Sequence, residues 1–155
     1  KNDQRPLVIC SLGGIAAPGL PLTQMQQDQR FHWLINVNRV PPGENLHCLA
    51  SVSDLRYQDI MASANGLVSK PGYGTAVEAA IHQLPFVYTS RGHFPDEPVI
   101  MAWLQENARA RHIDQAAWLA GEFGDHLQQL FDAPQKPAII ANGAQVAAAL
   151  IQQYL

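Results

Sequence analysis

The sequence predicts an α/β fold, a doubly wound and mostly parallel six-stranded sheet with helices on both faces, and three observations carry that prediction. Six short apolar runs recur along the chain, each continuous rather than alternating, as expected of parallel strands buried on both faces. Segments of helical character separate them. One strand-to-helix junction, Ser69 to Glu78, is built around glycines, the usual place for a ligand in such sheets.

In chain order, the first strand is predicted over Leu7 to Ser11 and ends at the glycine pair Gly13 and Gly14, which can terminate a strand. A helix follows over Leu22 to Gln29, where the run of glutamines reads as a solvated face. Strands are predicted at His32 to Val37 and Leu46 to Ala50, then a helix at Tyr57 to Ala64. The next strand, Gly66 to Ser69, runs through the glycine junction into a helix over Thr75 to Gln83. A strand at Phe86 to Thr89, a helix at Glu97 to Ala108 and a strand at Ala110 to Ile113 come next, followed by helical segments at Gln115 to Phe131 and Gly143 to Tyr154. This alternation implies right-handed crossovers, with ligands bound outside the carboxyl ends of the strands. The loops after Leu12, Val52, Ser69 and Thr89 are therefore expected to meet at one site.

At 155 residues the chain is expected to be a single domain, 1–155, long enough to bury a core of ordinary size. Charged residues make up 15% against the roughly 25% usual for soluble domains, while 47% are hydrophobic. So sparse a polar coat points to a surface partly covered by a partner or a further domain. The net charge of −3 gives no electrostatic reason to expect nucleic acid. Cys10 and Cys48 lie in apolar runs without CxxC spacing and read as buried free thiols. No apolar stretch approaches the roughly 18 residues of a transmembrane segment, and the start at Lys1 is unlike a signal peptide, so a cytoplasmic protein is expected.

The glycine junction is a phosphate-binding context. Glycines let the backbone approach a ligand closely, the first-turn N–H groups of the helix lack internal partners, and the helix dipole favours an anion there. Lys70 adds a cation at the strand end. Downstream, the run Leu84 to Tyr88 leads into Arg91, His93, Asp96 and Glu97, so a second polar loop is expected beside the first.

Together, Lys70 Pro71 Gly72 Tyr73 Gly74 Thr75, then Glu78, Pro85 and Asp96 Glu97 Pro98, resemble the donor-binding signature of GT-B glycosyltransferases that use nucleotide sugars. That signature runs His-Gly-Gly-x-Gly-Thr-x-x-Glu, with a Pro before the next strand and Asp-Gln-Pro at the following helix. The opening Val8 to Gly14 is similar to the first strand and glycine turn of the same carboxy-terminal domain, so the resemblance extends from about Leu7 to about Leu104. Lys70 stands where the family has His, Pro71 replaces one of its glycines, and Glu97 replaces the Gln; lysine still neutralises a phosphate and glutamate still accepts from hydroxyls.

The resemblance implies a UDP-linked sugar as ligand, with Gly13, Gly14, Lys70, Gly72, Tyr73, Gly74 and Thr75 around the diphosphate and Glu78 on the ribose. His93, Asp96 and Glu97 would face the donor sugar, and Leu55 or Tyr57 the base. It assigns no catalytic residue, no cofactor and no metal ligand to this chain, and it implies an amino-terminal acceptor domain or separate subunit as partner. Simpler readings stand beside these. Thr75 and Glu78 fit a Thr-x-x-Glu capping box, Asp96 fits a helix N-cap with Pro98 in the first turn, and Ser53 to Tyr57 fits a plain strand-to-helix connection. A nucleotide-sugar hydrolase or epimerase, or a non-catalytic nucleotide-binding module on the same scaffold, also fits the pattern.

Overall fold

The computed structural model describes residues 3–12, 19–37, 39–52 and 54–154. Six strands, β1 (Leu7–Ser11), β2 (His32–Ile35), β3 (Leu46–Cys48), β4 (Gly66–Ser69), β5 (Phe86–Tyr88) and β6 (Ala110–His112), form one sheet in the order β3-β2-β1-β4-β5-β6. Every pairing is parallel. The order reverses between β1 and β4, where Cys10 pairs with Val68 and Ser11 with Ser69. That reversal opens a crevice at the carboxyl ends of these two strands.

Alternating strand residues feed two cores. Ile9, Leu67, Phe86 and Tyr88 face α2 (Tyr57–Ser63), α3 (Tyr73–Ile81) and α4 (Glu97–Asn107), packing on Met61, Ala76, Ala80 and Leu104. Val8, Cys10, Trp33, Val68 and Val87 face α1 (Leu22–Gln27), α5 (Gln115–Ala120) and α6 (Phe123–Asp132), packing on Met25, Trp118, Phe123 and Leu127. The sheet is thus covered on both faces, which is why its strands read as continuous apolar runs. Burial pushes the Cys10 thiol up to about 12, whereas Cys48 is only half-buried.

Several predicted boundaries move. The strand expected to run to Val37 ends at Ile35, and that expected to run to Ala50 ends at Cys48, where a 3₁₀ turn over Leu49–Val52 takes over. The segment Gln115 to Phe131 is two helices, because Gly121 takes a left-handed φ of 74° and caps α5. A Cβ there would lie 2.7 Å from Gln24 Cβ, so the position demands glycine on two counts. The helix predicted from Thr75 starts two residues earlier, at Tyr73. The last helix, α7 (Gly143–Gln152), contributes no buried residue and leaves Val146, Leu150 and Ile151 exposed. No helix among the described residues is long and apolar enough to cross a membrane.

Candidate functional site

The crevice between β1 and β4 is held by their own polar ends. The Ser69 hydroxyl donates to the Ser11 carbonyl across the pair, so the two strand ends are fixed before either loop begins. Lys70 follows, with only 5% of its surface exposed. Loss of water lowers its pKa below the ordinary lysine value, while the nearby Glu97 carboxylate pulls it back up.

Two residues on, Gly72 caps α3 with an extended backbone (φ −101°, ψ 157°), and its carbonyl accepts from Ala76 N–H at 2.8 Å. Gly72 itself has no side chain with which to cap the helix start. The amides of its first turn, Tyr73, Gly74 and Thr75, have no carbonyl one turn back, and they open at the carboxyl end of β4 beside Lys70. This geometry also rules out the capping box: Thr75 is the third helical residue rather than the cap, and the Glu78 carboxylate lies 3.1 Å from Nε2 of His82 one turn on.

Tyr57, at the start of α2, reaches the same crevice. With 38% of the residue exposed, partial burial raises the pKa of its phenol, the Ser11 side chain opposes the rise, and the Glu78 carboxylate adds to it. Tyr57, Ser11 and Glu78 are therefore neighbours, while Leu55 on the preceding turn is 56% exposed. Gly13 and Gly14 lie outside the described residues.

The loop after β5 is organised by charge. Glu97 is buried and accepts from the Ser90 hydroxyl at 2.5 Å and from Arg91 N–H at 2.6 Å, while Arg91 Nε approaches it at 3.4 Å. Nη2 of Arg91 donates to Asp96 at 2.7 Å, and the guanidinium lies over the Phe94 ring, 4.6 Å from its centroid. Asp96 occupies the N-cap of α4 but makes no side-chain cap bond; its carboxylate serves Arg91 instead. His93 is exposed and lines a depression on the flank of α4 with Phe94, Met101 and Gln105, which Glu97 borders from the loop side. The structure therefore gathers Lys70, Glu97 and the start of α3 on one side of the crevice and Tyr57 with Glu78 on another, and leaves His93 on the flank of α4. Arg91, which the sequence places in the second polar loop without a role, is what orders that loop. Its signal is an arginine five and six residues before an acidic pair.

No protein-family model matches the chain. Over 97 residues it is 29% identical to L-arabinokinase of Arabidopsis thaliana, a match that spans 61% of this chain and 9% of that protein. Solved structures superpose more completely. The calicheamicin glycosyltransferase CalG4 matches with a TM-score of 0.62 at 13% identity, and the glycotransferase of kitacinnamycin with 0.60 at 18%, each over 83% of this chain and 35% of the other. The glycosyltransferase SnogD from Streptomyces nogalater matches 99% of this chain and 44% of its own, with a TM-score of 0.54 at 15% identity. The fold is that of one part of these GT-B glycosyltransferases. This GT-B-like chain spans less than half the length of each of these structures. Among its described residues, no group of three or more His, Cys, Asp or Glu side chains is gathered as a metal would require.

Proposed function

We propose that this domain binds the donor of a glycosyltransferase-like protein, a nucleotide sugar of the UDP class, with the acceptor held by another domain or subunit. The observation that carries the reading is the buried Lys70 beside the glycine-led start of α3, at the switch point of a GT-B fold. The diphosphate would lie on the amides of Tyr73, Gly74 and Thr75, where the helix dipole and Lys70 stabilise the charge that grows on the departing nucleotide. Tyr57 would pack on the base with Leu55 at its rim, and Glu78, one helical turn from Gly74, would accept from the ribose. Asp96, on the loop that Arg91 fixes, would meet the sugar, with Glu97 beneath it as the buried anchor of that loop. L-arabinokinase and the three glycosyltransferases are all named for sugar chemistry, which supports a sugar-bearing ligand.

Calorimetry against UDP, UMP and ADP tests the reading. Weak binding in the order UDP, then ADP, is expected, with no sugar transfer by the chain alone because no general base is assigned to it. Equal or absent binding of all three nucleotides would overturn it.

A further inference from the structure

One cavity next to this site shares Lys70 and Arg91 with it but adds the end of β6, which no role assigned so far uses. It encloses about 340 Å³ at the carboxyl ends of β4, β5 and β6, within the roughly 300 to 1,000 Å³ of small-molecule sites, and its wall includes Lys70, Thr89, Arg91, His112, Asp114 and Gln115. The sheet puts these residues together. Ser69 pairs with Tyr88 and Tyr88 with His112, so Lys70, Thr89 and His112 emerge at neighbouring strand ends. The His112 ring rests against Tyr88, with centroids 5.5 Å apart, and Asp114 is fixed as the N-cap of α5 by accepting from Ala117 N–H at 2.8 Å.

The chemistry of the wall selects the ligand class. Lys70 and Arg91 are its cations, but Arg91 is already engaged by Asp96 and Glu97, and Lys70 lies in the field of Glu97. The wall itself carries two cations and one carboxylate, Asp114, and behind it Asp96 and Glu97 already answer the cations, so little net positive charge is left for an anionic group. A hydroxyl-rich neutral group fits better: Thr89, His112 and Gln115 both donate and accept, and the Asp114 carboxylate has acceptor capacity beyond the bond to Ala117.

We propose that this cavity is the subsite for an uncharged glycosyl group of the nucleotide sugar, with His112, Asp114 and Gln115 as its specificity-determining wall. The inference rests on the donor-binding reading above and deepens it: the sugar extends past the β5 loop onto the end of β6, and uronic acid donors are disfavoured.

The test titrates the chain and its His112→Ala and Gln115→Ala variants with UDP, UDP-glucose, UDP-galactose, UDP-N-acetylglucosamine and UDP-glucuronate. His112 and Gln115 are exposed, so both variants are expected to fold with unchanged melting temperature. At least one neutral UDP-sugar should bind the parent chain more tightly than UDP-glucuronate. Each variant should lose about threefold to tenfold in affinity for it, the scale of one hydrogen bond, while UDP binding stays within about twofold. UDP binding with an unchanged sugar-to-UDP ratio in both variants, or a preference for UDP-glucuronate, overturns this inference and leaves the donor-binding reading standing. Absence of UDP binding to the parent chain overturns both.

Discussion

The backbone N–H of Arg91 donates to Oε2 of Glu97 at 2.6 Å, so the loop after β5 is tied to the first turn of α4 through its main chain as well as its side chain. The guanidinium and the Glu97 carboxylate are both nearly buried, with 9% and 7% of their side-chain surface exposed, whereas Asp96 keeps 32%. Removing one partner of a buried pair leaves the other uncompensated, at a cost of about 3 kcal/mol or more, while a partly exposed pair contributes about 1 kcal/mol or less. Glu97→Ala is therefore expected to lower the melting temperature by roughly 6 to 12 °C, and Asp96→Ala by no more than about 4 °C. Thermal unfolding followed by circular dichroism checks this, and equal effects would refute the buried-anchor role of Glu97.

Gly72 and Gly74 are not required by the backbone. Gly72 has an extended conformation open to any residue, and a Cβ on it would meet only Thr75 Oγ1, at 3.9 Å; a Cβ on Gly74 meets nothing within 4 Å. Alanine should be neutral at Gly72, and at Gly74 it should stabilise the chain by about 0.5 kcal/mol by reducing the freedom of the unfolded state. If these glycines exist for the approach of a diphosphate, the same changes should weaken UDP by about tenfold, the scale of a modest steric misfit. Retained stability with lost affinity supports the phosphate role. Retained affinity in both variants removes it.

That pair of residues also marks what was legible in the sequence. The glycines, the strand runs and the α/β alternation are local or periodic signals, whereas the strand order, with its reversal between β1 and β4, is set by tertiary pairing. The start of α3 was misplaced because Thr75 and Glu78 satisfy a capping pattern that Pro71 and Gly72 anticipate by three residues; nothing in the pattern itself tells the two starts apart. Gly121 is hidden for a similar reason, since a lone glycine in a helical run is tolerated and nothing in the pattern shows that this one takes the left-handed φ of 74° that ends α5. The meeting of β4, β5 and β6 at one cavity depends on tertiary neighbours that no spacing encodes.

At the other end of the sheet, His32 links two titrating partners. Its Nδ1 lies 3.0 Å from Nε2 of His47 and its Nε2 lies 2.9 Å from the Asp3 carboxylate, which also holds Arg5. Burial, then His32 and Arg5, lowers the pKa of His47 below the ordinary histidine value. A depressed histidine favours the neutral form in the fold, so its contribution is fully present above the unfolded value near 6.5 and is lost as pH falls through the folded value. The melting temperature should accordingly decline as pH drops below about 6.5, and His47→Gln should flatten that part of the profile. An unchanged slope in the variant would assign the decline to other groups.

Lys70 gives the nucleotide site a pH signature of its own. Desolvation lowers its pKa in the free protein, with Glu97 opposing, so deprotonation begins below the ordinary lysine value of about 10.5. A bound diphosphate would favour the ammonium and raise that pKa again, so complex formation would take up a proton as pH climbs through the free-state value. UDP affinity should therefore fall relative to uridine affinity as pH rises toward the ordinary lysine value, the uracil N3–H ionising alike in both ligands. That relative fall is the alkaline slope of Lys70. Lys70→Gln should weaken UDP by roughly tenfold to hundredfold, the scale of a charge-assisted hydrogen bond, and should abolish the alkaline slope. Because a buried cation with a lowered pKa is itself a cost to folding at neutral pH, the same variant should melt no lower than the parent. Dissociation constants for UDP and uridine measured across that rise in pH decide the matter: parallel curves for the two ligands, or an alkaline slope that survives in Lys70→Gln, would place the diphosphate away from Lys70.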